Sequence, residues 1–84
     1  MDDLDSMRIF VKVADLGGFT RAASAMRISN AVATRHVADL EGRLGTRLLN
    51  RTTRRLSPTE SGHVYLERIR HILEELDDVE QMVT

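Results

Sequence analysis

The sequence predicts a mainly α-helical fold: three short helices, a two-stranded β-hairpin and one long closing helix. Three observations carry that expectation. Apolar residues recur at helical spacing along most of the chain. Glycines and small polar residues fall where helices should stop and start. Between residues 46 and 57 the helical pattern lapses into leucine-bearing segments around a basic, polar stretch.

The first helix is expected over residues 4–16, LDSMRIFVKVADL, where Met7, Phe10, Val11 and Ala14 share a face and Gly17-Gly18 ends the run. Residues 20–26, TRAASAM, form a second helix with Thr20 as its N-cap. After a tight turn over residues 27–29, Ser29 caps a third helix that runs to about Leu44 and stops at Gly45. There Ala33, Val37, Leu40 and Leu44 make one apolar stripe. Ala31, Thr34 and Arg35 point away from it, and Asn30 stands at the first turn. Leu48-Leu49 and Leu56 then flank the polar tip formed by residues 50–55, as in two short strands around a hairpin. Ser57-Pro58-Thr59-Glu60 opens the last helix. Either Ser57 is the N-cap, with Pro58 first in the helix and Glu60 closing a capping box, or Thr59 is. Along that helix Tyr65, Ile69, Ile72, Leu76, Val79 and Val83 repeat at four-three-four-three-four, a heptad seam that Leu66 and Leu73 widen. A small domain does not easily cover so long a stripe, so the seam is expected to dimerise.

Composition narrows the class. A chain of 84 residues makes one thin-cored domain, and it has no cysteine for a disulfide or a thiolate metal site. The acidic start MDDLDSM is unlike a signal peptide, and no apolar run reaches the length of a membrane span, which points to a cytosolic protein with no membrane partner. The net charge of −1 hides a strong pattern. Residues 19–58 carry eight arginines against Asp39 and Glu41, whereas the segments on either side are net acidic. A basic middle built wholly of arginine suits a polyanion, since the guanidinium fork matches phosphates and base edges. His63 and His71 stand eight apart, too far to share a metal by themselves, and the sequence holds no nucleophile–base–orienter set and no glycine-rich phosphate loop. An enzyme, a cofactor and a metal are therefore not expected.

Phe19 to Val37, FTRAASAMRISNAVATRHV, reads as a short helix, a three-residue turn and a longer helix: a helix-turn-helix in which Ala22 and Ala23 permit close approach and Met26 and Ile28 fill the corner. Around it stand Phe19-Thr20 with Ala22-Ala23, Leu40-Glu41 with Leu44-Gly45, Leu48-Leu49 with Arg51 and Arg54, and Thr59-Glu60 with Gly62. In this order these motifs resemble the N-terminal winged helix-turn-helix of LysR-type bacterial transcriptional regulators, over roughly residues 4–80. The resemblance implies a DNA-binding domain over residues 1–58 and a linker helix over residues 59–84. It also implies a homodimer through antiparallel linker helices, and a small-molecule effector bound by a further domain outside this chain. One stretch departs from the family. Its common Ser-Gln-Pro-Ala-Val-Ser-Arg is here Ser29-Asn30-Ala31-Val32-Ala33-Thr34-Arg35, so an operator preference is not carried over.

The third helix is the expected reader, because a helix enters the major groove only if its outer face is slim. Asn30 suits an adenine edge. Ala31 and the Thr34 methyl suit a thymine methyl, and the Thr34 hydroxyl suits a base or phosphate. Arg35 suits guanine or phosphate, and the resemblance favours phosphate. The resemblance further implies a phosphate contact for Thr20 and entry of Arg54 into the minor groove, with Arg51 and Arg55 on phosphates. Ser29 belongs to the same interface. His36 on this helix is either a further phosphate contact or simply solvated. The alternatives are a winged helix of another regulator family, or a helical module that dimerises through residues 65–83 and binds an acidic protein.

Overall fold

The computed structural model describes residues 3–51 and 56–84. Four helices and two strands follow in order: α1 (Asp3–Leu16), α2 (Phe19–Met26), α3 (Asn30–Leu44), β1 (Leu49–Arg51), β2 (Leu56–Pro58) and α4 (Glu60–Met82). The strands pair antiparallel, with Leu49 opposite Pro58, Asn50 opposite Ser57 and Arg51 opposite Leu56. They take in more of the expected tip than the leucines alone suggested.

The core lies where α1, α2 and α3 meet and is closed below by Leu48 and Leu49. α1 contributes Ile9, Phe10 and Val13, α2 contributes Ala22 and Ala23, and α3 contributes Ala33, Val37 and Leu40. The expected face of α1 is thus off by about one residue. Of Met7, Phe10, Val11 and Ala14 only Phe10 is fully buried. The reason is that α1 packs against α2, α3 and α4, and these three neighbours together set the stripe it buries. On α3, Ala33, Val37 and Leu40 are buried as expected, but Leu44, the last residue of the helix, is 37% exposed.

Helix ends account for the turns. Gly17 and Gly45 adopt left-handed backbone after α1 and α3. α2 ends in a Schellman arrangement: Arg27 sits at φ 59°, its N–H donates to the Ser24 carbonyl, and the Ile28 N–H donates to the Ala23 carbonyl. Ser29 caps α3 as expected, its Oγ accepting the Val32 N–H at 3.1 Å. Thr20 does not cap α2. The helix starts one residue earlier, at Phe19, and extended Gly18 takes the N-cap position with no side-chain bond to the helix. At α4 the choice falls on Thr59. Its Oγ1 accepts the Gly62 N–H at 2.9 Å and donates to the Arg47 carbonyl at 2.7 Å, while its N–H donates to the Leu48 carbonyl. Ser57 and Pro58 are held in β2, so neither the Ser57 cap nor the Glu60 capping box forms.

α4 divides its apolar residues between two tasks. Ile69 and Leu73 are buried against the domain, Leu66 and Tyr65 pack on the core, and the Tyr65 ring lies 5.7 Å from that of Phe10. Burial pushes the Tyr65 phenol above its usual pKa. Two bidentate ion pairs fasten α4 along α1: Arg8 with Asp77 at 3.0 Å, and Arg70 with Asp15 at 2.7 Å. The continuous heptad seam read from the sequence is therefore split. Tyr65 and Ile69 turn into their own domain, whereas Ile72 (55% exposed), Val79 (57%) and Val83 (82%) face outward with Val64 and Met82.

Candidate nucleic-acid interface

The outer face of α3 carries the residues expected to read DNA. Asn30, Ala31, Thr34 and Arg35 are all exposed, and Ala33, Val37 and Leu40 anchor the opposite side of the helix. Ala38 extends the exposed strip by another turn. The strip is narrow because its middle residues are alanine and threonine, and Arg35 is its only cation among Asn30, Ala31, Thr34, Arg35 and Ala38. His36 lies off this face. It is half-buried, with Nδ1 2.9 Å from Ser6 Oγ, so it joins α3 to α1.

Thr20 and Asn30 come together although they sit on different helices. Asn30 Nδ2 donates to Thr20 Oγ1 at 2.9 Å, in the open, at the joint between the start of α2 and the start of α3. Ser29 is exposed beside them, its hydroxyl engaged by the cap. Arg21 and Arg27 flank the helix pair and are also exposed.

Arg51 is held. Its Nη2 donates to Glu41 Oε1 at 2.9 Å, and its guanidinium lies 5.8 Å from the centre of the Phe19 ring. The sequence reading missed the other half of this arrangement. Glu41, only 8% exposed, accepts the Leu48 and Leu49 N–H groups on Oε2 at 2.8 and 3.2 Å. One carboxylate thus joins the end of α3 to β1 and, through Arg51, to the start of α2. The available signal was a glutamate at the end of the third helix, followed by arginines in and beside the expected strand. Arg54 and Arg55 lie outside the described residues. Among the described residues no cluster of His, Cys, Asp or Glu is suited to a metal ion, and no helix is long and apolar enough to cross a membrane.

The family model described as a bacterial regulatory helix-turn-helix protein of the lysR family matches residues 4–63. The chain belongs to this family. Among its relatives, an HTH-type transcriptional repressor of Pseudomonas aeruginosa is 49% identical over 80 residues, which is 95% of this chain and 25% of the relative. The chain thus spans about a quarter of the length of that relative. Solved structures agree on the winged-helix fold. The BenM_DBD complex with catB site 1 DNA superposes with a TM-score of 0.93 at 31% identity, covering 99% of this chain and 91% of that one. Full-length CbnR in complex with its target DNA gives 0.87 at 32% identity, covering 99% of this chain and 28% of that one.

Proposed function

We propose that this chain is the DNA-reading part of a bacterial LysR-type transcription regulator, binding double-stranded DNA sequence-specifically. α3 enters the major groove, and the wing between β1 and β2 reaches the neighbouring minor groove. The observation that carries this reading is the slim, exposed face of α3 opposite a fully buried stripe, with exposed arginines on either side. The two similar proteins solved with DNA support it.

Roles follow from exposure and chemistry. Asn30, Ala31 and Thr34 read base edges. Arg35 binds phosphate, and Ser29 orders the helix start that faces the backbone. The Thr20 hydroxyl, beside a first turn of α2 that lacks a side-chain cap, meets a phosphate. Arg51 works mainly as a brace, with its exposed edge left for a phosphate. Arg54 in the minor groove and Arg55 on a phosphate rest on the sequence. The outward residues of α4, Ile72, Val79 and Val83, with half-buried Leu76 between them, pair with a second copy, and the regulator acts in the cytoplasm. An effector-binding domain outside this chain senses the small molecule. No catalysis is assigned.

Selection from a random duplex pool, followed by salt titration, tests the reading. The expected result is a recurring sequence bound with a log–log salt slope steepened by about one unit per phosphate neutralised. Absence of salt-dependent binding to any duplex overturns it. Equal binding to every duplex and to an acidic polypeptide supports the interaction module instead.

A further inference from the structure

We propose that Thr20 is a positioning residue for base readout: by holding one amide N–H of Asn30, it fixes the side chain so that its remaining N–H and its Oδ1 select adenine over guanine. The inference rests on the DNA-binding reading above. Its starting point is the 2.9 Å bond from Asn30 Nδ2 to Thr20 Oγ1. A free asparagine amide rotates, and its two N–H groups and one oxygen fit several base edges. Adenine shows an acceptor at N7 beside a donor at N6, whereas guanine shows two acceptors, N7 and O6. With one N–H engaged by Thr20, Asn30 has one donor and one acceptor left, side by side. That pair fits adenine, and opposite guanine it sets Oδ1 against an acceptor.

The threonine hydroxyl has a second use in the same arrangement. Accepting from Asn30 leaves its own proton to donate outward, toward the phosphate assigned to it above. Phosphate, Thr20, Asn30 and base then form one hydrogen-bonded chain. Docking on the backbone and reading the base become a single event. Ten residues separate the two side chains, Thr20 in the first turn of α2 and Asn30 in the first turn of α3. Asn30 is one of the positions at which this chain departs from the common family pattern.

The test compares the unsubstituted chain with Thr20→Val, Thr20→Ser and Asn30→Ala on the selected duplex and on copies in which each A·T pair is replaced in turn by G·C. Thr20 is exposed and caps nothing, so valine leaves the core intact. At one base pair the unsubstituted chain should prefer adenine by about 5- to 150-fold, the range one bidentate contact supplies. Thr20→Val should reduce that ratio to the value left by Asn30→Ala. Combining the two should lower the ratio no further, and Thr20→Ser should restore it. In the free chain, NMR should show one Asn30 side-chain amide proton protected from exchange, with the protection lost in Thr20→Val and kept in Thr20→Ser. Thr20→Val weakening all duplexes alike with the ratio intact overturns the proposal and leaves the DNA-binding reading standing. An unsubstituted chain that binds no duplex overturns both.

Discussion

Glu41 shows how much one side chain can hold. Its two oxygens satisfy the first N–H groups of the wing and pair with Arg51 and, at 3.8 Å, with Arg47, in a setting nearly closed to water. An alanine there leaves the Leu48 and Leu49 N–H groups without an acceptor and releases Arg51. Hydrogen bonds to a charged group contribute about 1.5–3 kcal/mol each, but the freed Arg51 is 28% exposed and can turn to solvent. Glu41→Ala should therefore destabilise the chain by about 3 kcal/mol, measured by urea denaturation, without touching any base-reading residue. A loss below about 0.5 kcal/mol, the range usual for surface substitutions, would mean that the wing N–H groups find water instead. Asn30 and Thr20 illustrate the opposite regime. Their bond is exposed and adds little stability, so its effect belongs in base preference.

Gly62 decides how α4 meets the wing. A β-carbon at this position would collide with the Leu48 carbonyl and would come 3.2 Å from Pro58 Cβ, so helix and strand can cross here only with glycine. Gly62→Ala has no open space and meets backbone, which cannot rotate away. It should cost roughly 1–3 kcal/mol or more by overpacking, against at most about 1 kcal/mol gained from helix propensity. For a chain of this size that lowers Tm by about 4–8 °C per kcal/mol, read by circular dichroism. An unchanged Tm would mean that α4 swings freely on β2. The α1–α4 pairs add a pH signature. Hydrogen bonding to Arg70 holds the Asp15 carboxyl below its ordinary value of 3.8. A depressed carboxyl contributes its stability above the unfolded-state pKa and loses it as pH falls through the folded one. The contribution of this pair is thus fully present near neutrality and fades below about pH 4. Asp15 is 40% exposed, so the effect stays under about 1 kcal/mol. Asp15→Asn should be slightly less stable than the parent at pH 7, and the gap should narrow as pH falls below about 4. These elements also show what was legible in the sequence. Ser29, Gly45 and the Ala33–Val37–Leu40 stripe act within one or two helical turns, so their signal is local and was read correctly. The cap of α2 was misread because the helix starts one residue before Thr20, and that of α4 was left open because Thr59 is held by the Arg47 and Leu48 carbonyls of another segment. Glu41 and the Arg8–Asp77 pair bridge separate elements, and no periodicity announces them.

At the scale of the molecule, the question is what the far half of α4 is for. A helix of 23 residues is about 35 Å long, and the domain covers one side of it. The outward residues Val64, Ile72, Val79 and Val83 make a stripe that the chain leaves uncovered. Charge indicates how two such stripes would meet. Residues 72–82 carry Glu74, Glu75, Asp77, Asp78 and Glu80 and no base, whereas residues 60–71 balance Glu60 and Glu67 with Arg68 and Arg70. Parallel pairing sets acid on acid. Antiparallel pairing sets each acidic half against a balanced one and is favoured. The ion pairs to α1 fix the direction of α4 relative to the reading face of α3, so an antiparallel pair would place two α3 helices at a set distance and require two half-sites at matching spacing. Ile72 lies midway along α4 and is more than half exposed, so a charge there barely disturbs the single domain. Ile72→Glu should therefore leave the far-ultraviolet spectrum unchanged, shift the mass by light scattering from two copies to one, and abolish the concentration dependence of Tm. On DNA it should bind single half-sites as the parent does but lose the advantage of two correctly spaced ones. A variant that stays dimeric would place the interface elsewhere on the surface and remove α4 from the assembly.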